Sequence, residues 1–199
     1  MTRPIRRHGR PPLLPRLLSL MLGAAMLTCI PCAHAWELSG RKEISALTRE
    51  QQLIPIGSVV FTPQADGRTA FTLTMDHHLF VDHFLSMKEF KCLQGTDEVL
   101  CHVPYPYKTP ATVSGTDYAW LEHRLLFLSK QPRDFGAKLW NGLYFHFEPD
   151  AQGLVGTPQA VDLNLISAPP DDLQTPPYGL DQRDAVAQGS HWIERLLIR

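Results

Sequence analysis

Cys92 and Cys101 bracket the eight residues LQGTDEVL, and Gly95-Thr96-Asp97 within them supply the chemistry of a turn. A reversal there returns the two thiols to bonding distance, so a structural disulfide is expected. Closing a loop of about ten residues stabilises by roughly 2–3 kcal/mol in the chain-entropy picture. A redox dithiol favours C-x-x-C, and a metal would need more soft ligands than this stretch holds. The pair sits in residues 71–107, which also hold four of the nine histidines and the densest apolar and aromatic patterning. The rest of the chain is expected to be organised around that stretch.

Residues 70–75 alternate, with Phe71, Leu73 and Met75 on one side and Thr72 and Thr74 on the other, as in a half-buried strand. The following DHHLFVDHFLSM fits two templates. As a strand it places residues four apart roughly 13 Å from each other, too far to share an ion. As a helix it lays His78 over Asp82 with His83 one residue further round, and a metal site at His78, Asp82 and His83 follows. His77 belongs to the same segment, and Met75, Met87 and His102 are candidate helpers. Imidazole with thioether suits copper; imidazole with carboxylate suits zinc. The plainer alternative has these histidines at a sheet edge or loop, hydrogen-bonded to backbone.

Two hairpins frame this stretch. Residues 53–62 (LIPIGSVVFT) read as a strand whose Pro55 implies an edge or bend, and Asp66-Gly67 turns the chain back into residues 69–75. Residues 143–148 (LYFHFE) alternate, residues 149–153 turn, and residues 161–166 (VDLNLI) alternate again as the expected partner. Residues 36–50 fit an edge strand or a short helix, and residues 98–103 a short strand. Pro104-Tyr105-Pro106-Tyr107 is a stiff extended ribbon. A helix is expected over residues 117–124, with Thr116 as its N-cap. Residues 125–128 either continue it or form a buried strand. Residues 168–189, with four prolines, read as a long surface loop, and residues 191–199 as a docking strand or short helix. The fold class is therefore α+β and β-rich: antiparallel hairpins in a small barrel or sandwich with one short helix.

Residues 1–35 read as a signal peptide. Five arginines precede an apolar run too short to span a bilayer comfortably, and Ala33-His34-Ala35 offers a cleavage site. Met26-Leu27-Thr28 before Cys29 is a poor lipoprotein box, so lipidation of Cys29 is the minor alternative. Cys29 and Cys32 are spaced C-x-x-C but lie in the removed piece. Residues 36–199 then form a single secreted domain, periplasmic in a double-membraned bacterium, with no further membrane-spanning segment. They keep 14 of the 19 basic residues and all 20 acidic ones, a formal charge of −6. That opposes a nucleic-acid partner, which needs a basic patch.

The chain contains no G-x-S-x-G, G-x-G-x-x-G, phosphate loop or H-E-x-x-H. Asp82, His83 and Ser86 are too close together in sequence to align as a triad. No pair of carboxylates stands out. The expected function is therefore non-enzymatic: a binding or envelope-associated domain for a small ligand or an envelope protein partner, with Trp120, Trp140, Tyr105 and Tyr107 as exposed aromatics. Copper or zinc binding through residues 77–83 is the alternative.

FLSMKEFKC at residues 84–92, CHVPYPY at 101–107 and WNGLYF at 140–145 are similar to segments of a group of exported bacterial proteins with no assigned activity. The resemblance implies a shared secreted domain and supplies no catalytic residues.

Overall fold

A computed structural model describes residues 36–85 and 88–199. The leader expected over residues 1–35, with Cys29 and Cys32, lies outside the described residues, as do Ser86 and Met87. Among the described residues, twelve strands join in one antiparallel sheet.

The first hairpin forms where the sequence places it. Strand β2 (Leu53–Pro63) pairs with β3 (Thr69–Met75). Gly67 takes φ +81° in the turn, and Asp66 Oδ1 accepts the Arg68 N–H at 3.1 Å. Pro55 is tolerated inside β2 because the β1–β2 register shifts beside it and β3 pairs only from Gly57 onward. Residues 36–50 contain β1 (Gly40–Thr48), a strand as one of the two expected alternatives had it and not a helix, but an interior strand and not an edge. Ile44, Ser45 and Ala46 are all buried in succession, which is why its alternation reads weakly.

Asp76 accepts the His78 N–H and opens a 3-10 turn, His77–Leu79, before β4 (Val81–Leu85). The segment thus follows the strand template after one tight turn. β4 pairs with β5 (Lys88–Gln94), and β5 with β6 (Val99–His102). Cys92 stands directly opposite Cys101 in that ladder, and the two are joined in a disulfide with Cα atoms 3.9 Å apart.

After the short β7 (Thr112–Val113) comes α1 (Ala119–His123), briefer than expected. The turn leading into it is fixed by Ser114 Oγ, which accepts the Asp117 N–H at 3.1 Å, and by Asp117, which accepts that of Ala119 at 3.0 Å, while Tyr118 holds the N-cap position with no side-chain cap. Thr116 is not the cap. Phe127–Lys130 form the strand β8, so the LLFL run leaves the helix and enters the core.

The second hairpin pairs β9 (Gly142–Asp150) with β10 (Gly153–Val161), not with residues 161–166. Asp162 accepts the Asn164 N–H and winds a 3-10 turn, Leu163–Ile166, that buries Leu163 and Ile166 three residues apart. The proline-rich loop holds one more short strand, β11 (Asp184–Ala185), against β10.

The last strand, β12 (Ile193–Ile198), inserts between β10 and β1. The hydrogen-bonded order is β4-β5-β6-β8-β9-β10-β12-β1-β2-β3-β7. β4 and β7 end that order without pairing to each other, so the sheet is open and the expected barrel closure does not occur. Among the described residues no helix is long and apolar enough to cross a membrane.

Ile198 lies between Ile44 and Leu154, all three inaccessible to water, and Leu196 lies between Ala46 and Gly156. Two small neighbours make Leu196 the volume that fills this junction. Leu196→Ala is expected to lower unfolding stability by about 3 kcal/mol, read as a lower urea midpoint.

Candidate functional site

The β5–β6 turn, the end of β8, the loop of residues 131–141 and residues 190–192 enclose a cleft of about 980 Å³. One wall is held by close approach. A Cβ on Gly95 would fall 2.5 Å from the Trp192 ring, so the absent side chain lets the indole lie on the turn. Arg49 fastens the same corner: its Nη2 donates to Asp97 at 2.9 and 3.0 Å, and its backbone N–H donates to Trp192 O at 2.9 Å.

Glu98, buried beneath this corner, accepts three hydrogen bonds. Ser129 Oγ donates to Oε1, His191 Nδ1 lies 2.6 Å from the same oxygen, and the Trp192 N–H donates to Oε2 at 2.5 Å. Burial works to raise the Glu98 carboxyl, but these three donors outweigh it and hold it below its ordinary range. With Nδ1 committed to Glu98, the other ring nitrogen of His191 is the one left for a ligand. Ser129 donates to a carboxylate and not to a histidine, so its hydroxyl is not set up as a nucleophile. Lys130 also lines the cleft, although only 6 % of its surface is exposed; Trp140, 64 % exposed, stands at the rim.

A second buried carboxylate stands on α1. Glu122 accepts from Tyr144 Oη, from His146 Nδ1 at 3.0 Å and from the Phe147 N–H at 2.6 Å. β8 covers only the first residues of β9, so Glu122 satisfies a backbone donor that no strand reaches. Beside it His123 accepts the Tyr178 N–H at 3.3 Å through Nε2, and its ring stacks on Tyr178 with centroids 5.4 Å apart. Trp120 and Tyr105 pack here too and are buried, not exposed as expected. This cluster is core.

The residues expected to hold a metal do not converge. His78 Nδ1 lies 2.6 Å from Asp76, Asp82 pairs with Lys91 at 2.5 Å, and His83 stands opposite Phe90 in the β4–β5 ladder. His77 approaches His102, ring centroids 6.3 Å apart, but His102 Nε2 is taken by Arg124 O at 3.0 Å. Among the described residues no three His, Cys, Asp or Glu side chains are grouped so as to hold an ion. Sequence reasoning missed Glu98, His191, Lys130 and Gly95, which come from distant parts of the chain; the one local hint was the Gly-Thr-Asp turn. No protein family, curated protein or solved structure matches this chain.

His102 and His123 are pushed down from 6.5 to about 4, chiefly by burial. The folded protein keeps both neutral while the unfolded chain takes up protons near pH 6.5, so stability is lost as pH falls from there toward 4. Urea midpoints at about pH 7.5, 6 and 5 are expected to fall progressively, and His123→Gln to flatten the decline. Glu98→Ala, which strands three donors, is expected to cost roughly 3 kcal/mol of unfolding stability, measured at neutral pH.

Proposed function

We propose that this chain is an exported, non-catalytic binding domain of the bacterial envelope, and that the cleft beside Glu98 takes a small polar ligand. The observation that carries the reading is the cleft itself: about 980 Å³, with its polar groups held in place by a buried carboxylate and an exposed Trp140 at its rim. Pockets for small molecules combine such a volume with a few fixed polar groups and an aromatic surface. Ser129 is turned away from nucleophilic duty, which favours binding over turnover.

Export is supported by the arginine-led apolar stretch of residues 1–35 and its Ala33-His34-Ala35. The Cys92–Cys101 bridge fits an oxidising compartment.

The test is a thermal-unfolding screen of small polar compounds on the disulfide-intact protein. A ligand at about 100 times its Kd adds close to 2.7 kcal/mol of stability, a readily measured rise in Tm. Expected is a compound class whose stabilisation is lost in Trp140→Ala and in the cleft-blocking Asn141→Trp. Stabilising compounds indifferent to both substitutions would place the ligand elsewhere and overturn the reading.

A further inference from the structure

We infer that the cleft binds a neutral saccharide, whose hydroxyl groups meet His191 and Asn141 and whose ring lies on Trp140. The inference rests on the cleft being the binding site and adds the chemical class of its occupant.

His191 is held in one orientation. Its Nδ1 lies 2.6 Å from Glu98 Oε1, and the residues on either side are tied down: Ser190 Oγ donates to Ala187 O at 2.7 Å, and the Trp192 N–H donates to Glu98 Oε2 at 2.5 Å. An ionised carboxylate only accepts, so Nδ1 carries the ring proton and Nε2 of the neutral imidazole presents a bare lone pair. Among the described residues nothing donates to that nitrogen. Nor is it shut away from solvent without a partner, as Trp36 Nε1 and Gln159 Oε1 are. His191 lines the cleft, so the acceptor stands ready for a ligand that carries a donor. A hydroxyl supplies one; an ionised carboxylate does not.

Charge on the cleft walls is spent internally. Asp97 pairs with Arg49 at 2.9 Å, Asp134 with Lys138 at 3.6 Å, and Glu98 takes its three donors, so each acidic side chain of the lining is already engaged. Arg133 stands exposed and gives its Nε to Gln131 at 2.9 Å, where water screens it. What is left for a ligand is uncharged: His191 Nε2, the Asn141 amide, which makes no side-chain hydrogen bond among the described residues, and the 64 % exposed indole of Trp140 beside it.

The imidazole nitrogen accepts, the amide both donates and accepts, and the indole face covers apolar C–H surface. Hydroxyls set around the apolar face of a sugar ring complement all three. The volume of about 980 Å³ lies at the upper end for small-ligand pockets, which suits two linked rings better than one.

The test follows tryptophan fluorescence of the disulfide-intact protein at about pH 8, above the ordinary imidazole range. It is titrated with maltose, lactose and N,N′-diacetylchitobiose, and with glucose and glucuronate, one ring in neutral and anionic form. Saturable binding of at least one disaccharide near about 1 mM is expected, with glucuronate no tighter than glucose. Two substitutions separate binding from bracing. His191→Asn keeps a donor near the place of Nδ1 and loses Nε2, whereas His191→Gln does the reverse. Expected is about tenfold weaker saccharide binding in His191→Asn with Tm nearly unchanged, and binding within about threefold of the unsubstituted protein in His191→Gln with a lowered Tm. Affinities in the opposite order, or unchanged in both variants, would overturn the inference. Glucuronate bound about tenfold tighter than glucose, and lost in Trp140→Ala, would overturn the neutral class and leave the cleft standing as a binding site. No saturable signal from any of the three disaccharides would also overturn it, while the thermal screen of other polar compounds reads the cleft independently.

Discussion

The sheet depends on one insertion. β12 lies between β10 and β1 and joins two sets of neighbouring strands, β1–β3 with β7 on one side and β4–β6 with β8–β10 on the other. Every other junction in that order is made by strands nearer in sequence, mostly hairpins. The β12–β1 ladder instead joins strands about 150 residues apart, a large loop-closure cost that must be offset by what it buries. Ile198, Ile44 and Leu154 do this together, with Leu196 filling the space above Ala46 and Gly156.

Two glutamates extend the same logic to places where backbone pairing runs out. Glu122 takes the Phe147 N–H where β8 stops covering β9, and Glu98 takes the Trp192 N–H just before β12 begins. Each carboxylate also fixes a histidine through Nδ1. The difference lies in the surroundings. Glu122 is enclosed by α1 and the aromatic rings of Tyr144 and its neighbours, which leaves it structural; burial first, then the adjacent carboxylate, push the Tyr144 hydroxyl far above its ordinary value. Glu98 has the Trp192 corner on one side and the cleft on the other, so bracing the approach to the last strand also shapes a wall of the cleft.

The local features were legible in the sequence. Asp66-Gly67 marks its turn because glycine accepts positive φ there, and the Cys92–Cys101 spacing around a Gly-Thr-Asp turn matches a directly opposed pair. Misreadings arose where tertiary packing decided. The alternation of VDLNLI suggested a strand, but the Asp162 side chain satisfies the Asn164 N–H and the helical turn buries Leu163 and Ile166. Residues 36–50 fit an edge strand or a short helix equally because consecutive burial hides the period of two. Tyr105 and Trp120 are core since the Pro-Tyr ribbon is fastened to α1 by the Tyr105 N–H donating to His123 O at 3.0 Å. The cleft was illegible because Gly95, Glu98, Ser129 and His191 meet only once β12 is in place.

The position of that strand also governs the history of each molecule. Residues 193–198 are the last part of the sheet to be synthesised, yet they fill its middle. A nascent chain therefore carries two half-sheets with bare edges on β1 and β10 until residues 193–198 have been made, a condition in which chaperones and proteases meet it. A product lacking residues 193–198 would leave β1 and β10 without the strand that lies between them, a gap in the middle of the sheet.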